Sequence, residues 1–151
     1  MACLLLLPRV GMMNSKNLLL EYLDAFSTPA KAAALFAPDG VLETPYLQTI
    51  NMQPRLEGPR EIEKFLASLM EMVPDWKFSN IRLLMADNDQ VVAEYEVHAM
   101  ATHTNRPFDQ LFFGRLVKDE HGKIKLLREA QNLVCTARAL LKNGVDDIPR
   151  T

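Results

Sequence analysis

The chain has 151 residues, 48% of them hydrophobic and 24% charged, with 17 basic against 19 acidic side chains and a net charge of −2. That is the length of one domain, enough to bury roughly two-thirds of the surface its unfolded form exposes without help from disulfides or a metal. The near-neutral balance argues against capture of nucleic acid or anionic lipid, and Cys3 and Cys135, far apart and outside any Cys/His cluster, read as reduced cytosolic thiols.

Residues 1–13 are expected to be an extension ahead of a single domain at 14–151. The run Leu4 to Leu7 is shorter than the apolar core of a signal peptide, about 7–15 residues, and no basic stretch precedes it. No apolar run approaches the ~20 residues of a membrane span. The expectation is a cytoplasmic protein.

The first regular element falls at 14–27, where Leu18, Leu19, Tyr22, Leu23 and Phe26 recur at three-to-four spacing behind Asn14 or Ser15 as N-cap. Thr28-Pro29 opens a short alanine-rich helix through Leu35-Phe36, ended by Pro38-Asp39-Gly40. Residues 41–44 read as a short strand stopped by Pro45, and 46–57 as a polar loop. Gly58-Pro59 starts a third helix with the stripe Ile62, Phe65, Leu66, Leu69, Met70 and Val73. From Trp76 the period changes to two, giving strands at 76–85, 91–102, 108–118 and 124–134 separated by tight turns, which should pair antiparallel. Three helices followed by a meander imply an α+β fold with the helices on one face of a curved sheet. A tail at 136–151 has Ala137, Leu140 and Leu141 at helical spacing.

This element order resembles the nuclear transport factor 2-like superfamily, which includes ketosteroid isomerases and SnoaL-like polyketide cyclases. Ala34-Leu35-Phe36-Ala37-Pro38-Asp39-Gly40-Val41, followed by Glu43-Thr44-Pro45-Tyr46, resembles the approach to the first strand of such proteins. Pro74-Asp75-Trp76 and Gly122-Lys123-Ile124-Lys125-Leu126-Leu127-Arg128-Glu129, then Asn132, resemble the phenazine-biosynthesis A/B branch. The resemblance implies a cone-shaped sheet and helices around an apolar pocket, and pairing of two copies through the outer face of the sheet, a contact the tail would extend.

Asp109 stands among large apolar side chains in Pro107-Phe108-Asp109-Gln110-Leu111-Phe112-Phe113 and alternates onto one face with Leu111 and Phe113. Buried there it would be partly protonated; at a strand end it would merely cap the turn at Asn105. By resemblance it falls where the isomerases keep an oxyanion-hole aspartic acid, and Tyr22 where they keep the partner tyrosine, although a core tyrosine explains Tyr22 as well. Thr44 fills the place of the isomerase general base, and a threonine hydroxyl cannot shuttle a proton at neutral pH. Glu129 corresponds to the acid/base glutamate of the phenazine proteins, with an exposed strand-edge glutamate as the plainer reading. Their pocket histidine aligns with Phe65.

The expected catalytic set is therefore Asp109, Glu129 and Tyr22, with Trp76, Tyr46, Phe65, Leu111, Phe113 and Leu127 lining a site for a small apolar carbonyl or polyketide-like molecule. No cofactor and no metal are expected: phosphate-loop, nucleophile-elbow and zinc patterns are absent from the sequence. The activity expected is a cofactor-independent isomerisation or cyclisation. A non-catalytic ligand-binding protein is the alternative, and epoxide hydrolysis a third reading that lacks an arginine beside Asp109. The first two part on whether Asp109 and Glu129 face a common cavity. A homodimer is expected.

Overall fold

The computed structural model describes residues 13–150; the expected extension lies almost wholly outside them. Helix α1 (Ser15–Ala25) begins where the side chain of Asn14 accepts the N–H of Asn17 at 2.9 Å, satisfying one of the free amides of a helix start. It buries the predicted stripe Leu18, Leu19, Tyr22 and Leu23. Helix α2 is Pro29–Ala33.

Strand β1 (Phe36–Glu43) starts five residues earlier than the pattern suggests and runs parallel to β6 (Ile124–Gln131). The register slips between Phe36 and Val41. At that slip a Cβ on Gly40 would lie 2.5 Å from the carbonyl oxygen of Ile124, so the two backbones approach this closely only at glycine.

The expected loop at 46–57 is instead a 3-10 helix (Pro45–Ile50) and a three-residue strand β2 (Arg55–Glu57) that pairs antiparallel with β1. Strand β2 is too short to show a period. Helix α3 (Pro59–Met72) carries its stripe inward, with Ile62, Leu66 and Leu69 buried. Strands β3 (Phe78–Ala86), β4 (Gln90–Ala101), β5 (Arg106–Lys118) and β6 form the antiparallel meander, and the six-stranded sheet has the order β2-β1-β6-β5-β4-β3. The α+β expectation holds. The sheet is curved and unclosed, with α1 against β3 to β5 and α3 against β1.

The last strand ends at Gln131, short of the expected 134. Asn132 stops it: its side chain accepts the N–H groups of Val134 and Cys135 and starts helix α4 (Leu133–Leu140). Helix α4 turns back onto β5, burying Thr136, Ala137, Ala139 and Leu140. The first part of the tail thus closes the concave side of the sheet rather than extending outward.

Candidate functional site

Between the concave face and the helices lies a narrow hollow of about 30 Å³, room for a water or two. Phe26 at the C-terminal end of α1, Leu66 and Leu69 from α3, and Phe108 and Phe112 from β5 give it an apolar wall. Tyr22, Thr44, Trp76, Glu129, Gln131 and Thr136 supply its polar atoms. Phe26 stacks on Trp76 with ring centres 4.9 Å apart, and Trp76 in turn lies 4.8 Å from Phe108, so the indole is held from both sides.

Glu129 is the carboxylate of this hollow. Alternation along β6 turns Leu127, Glu129 and Gln131 inward, and Glu129 is 7% exposed. Burial disfavours its charged form and pushes its pKa up to about 7, against the smaller opposing effect of a 2.5 Å hydrogen bond donated by the Tyr95 hydroxyl to Oε1. The exposed-edge reading of Glu129 does not apply. Tyr22 is fully buried, and its hydroxyl has no hydrogen-bond partner among the described residues; nor has Nε1 of Trp76. Burial first, and then the charge of Glu129, raise Tyr22 well above the usual tyrosine range, so it remains a neutral donor. Tyr22 and Trp76, each with a donor that has no partner among the described residues, therefore line one small space together with Glu129.

The other expected positions divide. Phe65 and Trp76 do line the hollow, as does Thr44. Asp109, Leu111 and Phe113 share one face of β5 as predicted, but it is the outer face: the Asp109 side chain is 62% exposed, Leu111 40% and Phe113 48%. Phe108, Gln110 and Phe112 occupy the inner face. Asp109 instead meets Nδ1 of His98 at 2.9 Å while Nε2 of that ring contacts Glu96 at 3.0 Å, and these two acids, Glu96 foremost, raise the His98 pKa. The sheet separates Asp109 from Glu129, so no common cavity joins them. Tyr46 is 58% exposed on the 3-10 helix, and Leu127 is fully buried in the core away from the hollow. Residues not anticipated are Gln131 and Thr136 in the wall and Tyr95 behind Glu129. Tyr95 was legible as an inward residue of β4, but its carboxylate partner is 34 positions away in sequence. Among the described residues no three His, Cys, Asp or Glu side chains gather as a metal site, and no helix is long and apolar enough to cross a membrane.

A curved, open sheet with helices on its concave side, closing on a small pocket, defines the nuclear transport factor 2-like class. Residues 19–127 match the SnoaL-like domain, and the chain belongs to that family. No curated protein matches it. Solved structures of similar fold include a nuclear transport factor 2-like protein of unknown function from Burkholderia pseudomallei, 14% identical, covering 86% of this chain and 99% of that one with a TM-score of 0.73. A phenazine biosynthesis-related protein from Pseudomonas aeruginosa is 20% identical over 91% of this chain and 87% of its own, with a TM-score of 0.69. A protein with a ketosteroid isomerase-like fold from Catenulispora acidiphila, in complex with trimethylamine, is 16% identical over 83% and 92%, again with a TM-score of 0.69. At these identities the likeness speaks for the fold.

Proposed function

We propose that this protein takes a small, largely apolar carbonyl compound into the hollow and moves a proton on it with Glu129, without a cofactor. The observation that carries the reading is the buried Glu129 carboxyl, with a pKa of about 7, facing the same space as the unpaired donors of Tyr22 and Trp76. In its ionised form Glu129 would take a proton from the carbon beside the carbonyl. The electron pair moves onto the carbonyl oxygen, which would accept hydrogen bonds from Tyr22 and Trp76, buried donors without a partner among the described residues. The protonated Glu129 then returns the proton to a different carbon, an isomerisation, or the enolate carbon closes onto an electrophilic carbon of the same molecule, a cyclisation. Asp109 has no part in this scheme, so the relay between two carboxylates reduces to one group acting as base and then as acid. Because the hollow holds only a water or two, a ligand must displace side chains to enter, and the half-buried Met52 and Phe65 are wall residues placed to yield.

The second reading, a ligand-binding protein without catalysis, draws on Thr44 at the isomerase base position and on the outward turn of Asp109. Deuterium exchange at the α-carbon of a small cyclic enone in heavy water, followed by proton NMR, separates the two. Catalysis predicts exchange above the buffer rate that falls at least ~10²-fold in Glu129→Gln. Enone binding with exchange at the buffer rate in both proteins decides for the binding reading. We also propose that two copies pair through the outer face of the sheet, and that the protein resides in the cytoplasm, the compartment favoured by its widely separated Cys3 and Cys135.

A further inference from the structure

Gly114 lies directly opposite Glu129 across the β5–β6 ladder and opposite Ala93 across the β4–β5 ladder. Its backbone does not lie in the left-handed region that favours glycine, so it is not there for conformational freedom. The reason is space: a Cβ at this position would lie 2.0 Å from the hydroxyl oxygen of Tyr95 and 2.8 Å from Cζ. Tyr95 stands on β4 opposite Phe112, two residues along the strand from Ala93 and on the same face. Its side chain leans diagonally over β5, within the reach that aromatic residues have to diagonal neighbours in a sheet. The missing side chain at Gly114 is the gap through which the Tyr95 hydroxyl arrives 2.5 Å from Oε1 of Glu129. The ring has little freedom to leave, with Phe78 edge-on at 5.1 Å and Phe112 stacked at 5.8 Å. The side-chain hydrogen bond of Glu129 is made through Oε1, and none is made to a described residue through Oε2.

We propose that Tyr95, seated in the space left by Gly114, is a positioning residue that pins Oε1 of Glu129 and leaves Oε2 as the oxygen that exchanges a proton in the hollow. The role rests on the reading of Glu129 as the proton-moving group. A pinned carboxyl presents one oxygen in one orientation, and the geometry of proton transfer requires that orientation. A hydrogen bond donated to the charged form also favours ionisation, so Tyr95 holds Glu129 in the neutral range against the stronger push of burial. Tyr95 from β4 and Tyr22 from α1 are the titratable groups facing Glu129, and the lining residues of α3, α4 and the 3-10 helix carry none.

The test is a carboxyl ¹³C NMR titration of the full chain labelled at glutamate, with the Glu129 signal assigned by its loss in Glu129→Gln. Tyr95→Phe keeps the ring and removes the hydroxyl, and should raise the Glu129 midpoint by about one to two units. Gly114→Ala should raise it as well, by pushing the hydroxyl aside, and the double variant should shift no further than Tyr95→Phe. A merely structural role for Tyr95 would move the melting temperature and leave the midpoint in place. A midpoint within about 0.3 unit of the wild type in folded Tyr95→Phe overturns the proposal. If Gly114→Ala does not fold, the comparison with Tyr95→Phe still decides it. If the midpoint moves as expected but the wild type exchanges no enone protons, the pinning stands and the catalytic reading falls.

Discussion

Glu129 ties function to stability. Its folded pKa of about 7 lies above the ordinary 4.5, so as pH rises the unfolded chain gives up this proton first. The contribution of Glu129 to stability is therefore complete below about pH 4.5, declines between 4.5 and 7, and levels off above; the total is on the order of 3 kcal/mol. Glu129→Gln cannot ionise and should escape that decline. Melting temperatures at pH 5 and pH 8 should fall further apart in the wild type than in the variant, by roughly 5–10 °C for a chain of this size; equal differences would show that Glu129 is not held neutral by burial. Tyr22 makes the matching case for a donor. The Tyr22 hydroxyl makes no hydrogen bond to a described residue, so Tyr22→Phe breaks none and should leave stability within about 1 kcal/mol of the wild type in denaturant melts. The same change removes one of the two donors that await a ligand oxygen and should slow enone exchange about 10²-fold. Stability kept as activity falls would mark Tyr22 as a site residue; loss of both would mark it as ordinary core.

At the scale of elements, α4 closes the hollow through a small polar network. Gln110, facing inward from β5, donates Nε2–H to the carbonyl of Asn132 at 2.7 Å and to Thr136 Oγ1 at 2.8 Å, and Gln131 donates to the same hydroxyl at 2.9 Å. Thr136→Val keeps the shape but strands these donors in the interior, with an expected loss of roughly 1–3 kcal/mol and faster hydrogen exchange of the α4 amides. Unchanged exchange would mean that apolar packing alone holds α4 down. The same elements show what could be read in advance. The stripes of α1 and α3 and the alternation of β4 were legible because each buries one unambiguous face. Strand β5 has large apolar residues on both faces, Phe108, Phe112 and Leu116 inward, Leu111, Phe113 and Val117 outward, so its alternation was evident while its phase was not. Only pairing with β4, which brings Tyr95 opposite Phe112, settles the phase and carries Asp109 outward. The start of helix α4 was hidden because Leu133 and Val134 continue the apolar alternation of β6, and only the capping geometry of Asn132 breaks it, although Ala137 and Leu140 already showed helical spacing. Tyr22 was found because it lay on the apolar stripe of α1, and Glu129 only through the resemblance to the phenazine proteins, since the inward face of β6 was not fixed by its sequence, whereas the Tyr95 contact needed three strands in register.

For the whole molecule, the reversed phase of β5 turns an expected pocket wall into an external surface. Met85, Met100, Leu111 and Phe113 lie exposed on the outer side of β3 to β5, Met85 at 75%. Apolar side chains grouped on one sheet face mark an interaction surface more often than an ordinary solvent face. The charges around them carry both signs: Glu94, Glu96 and Asp109 from β4 and β5, and Arg82, Arg115 and Arg128 from β3, β5 and β6. A patch holding acids and bases together can meet its own copy about a two-fold axis, because each subunit offers what the other lacks. A homodimer built on this face should run in light scattering at twice the 17.1 kDa of the chain. Leu111→Glu combined with Phe113→Arg should convert it to monomer while leaving the Glu129 titration and the α-exchange rate unchanged, since the sheet lies between this face and the hollow. A wild type that stays monomeric at high concentration would assign the face to a different partner, and loss of exchange on separating the copies would show that the closure of the hollow depends on pairing.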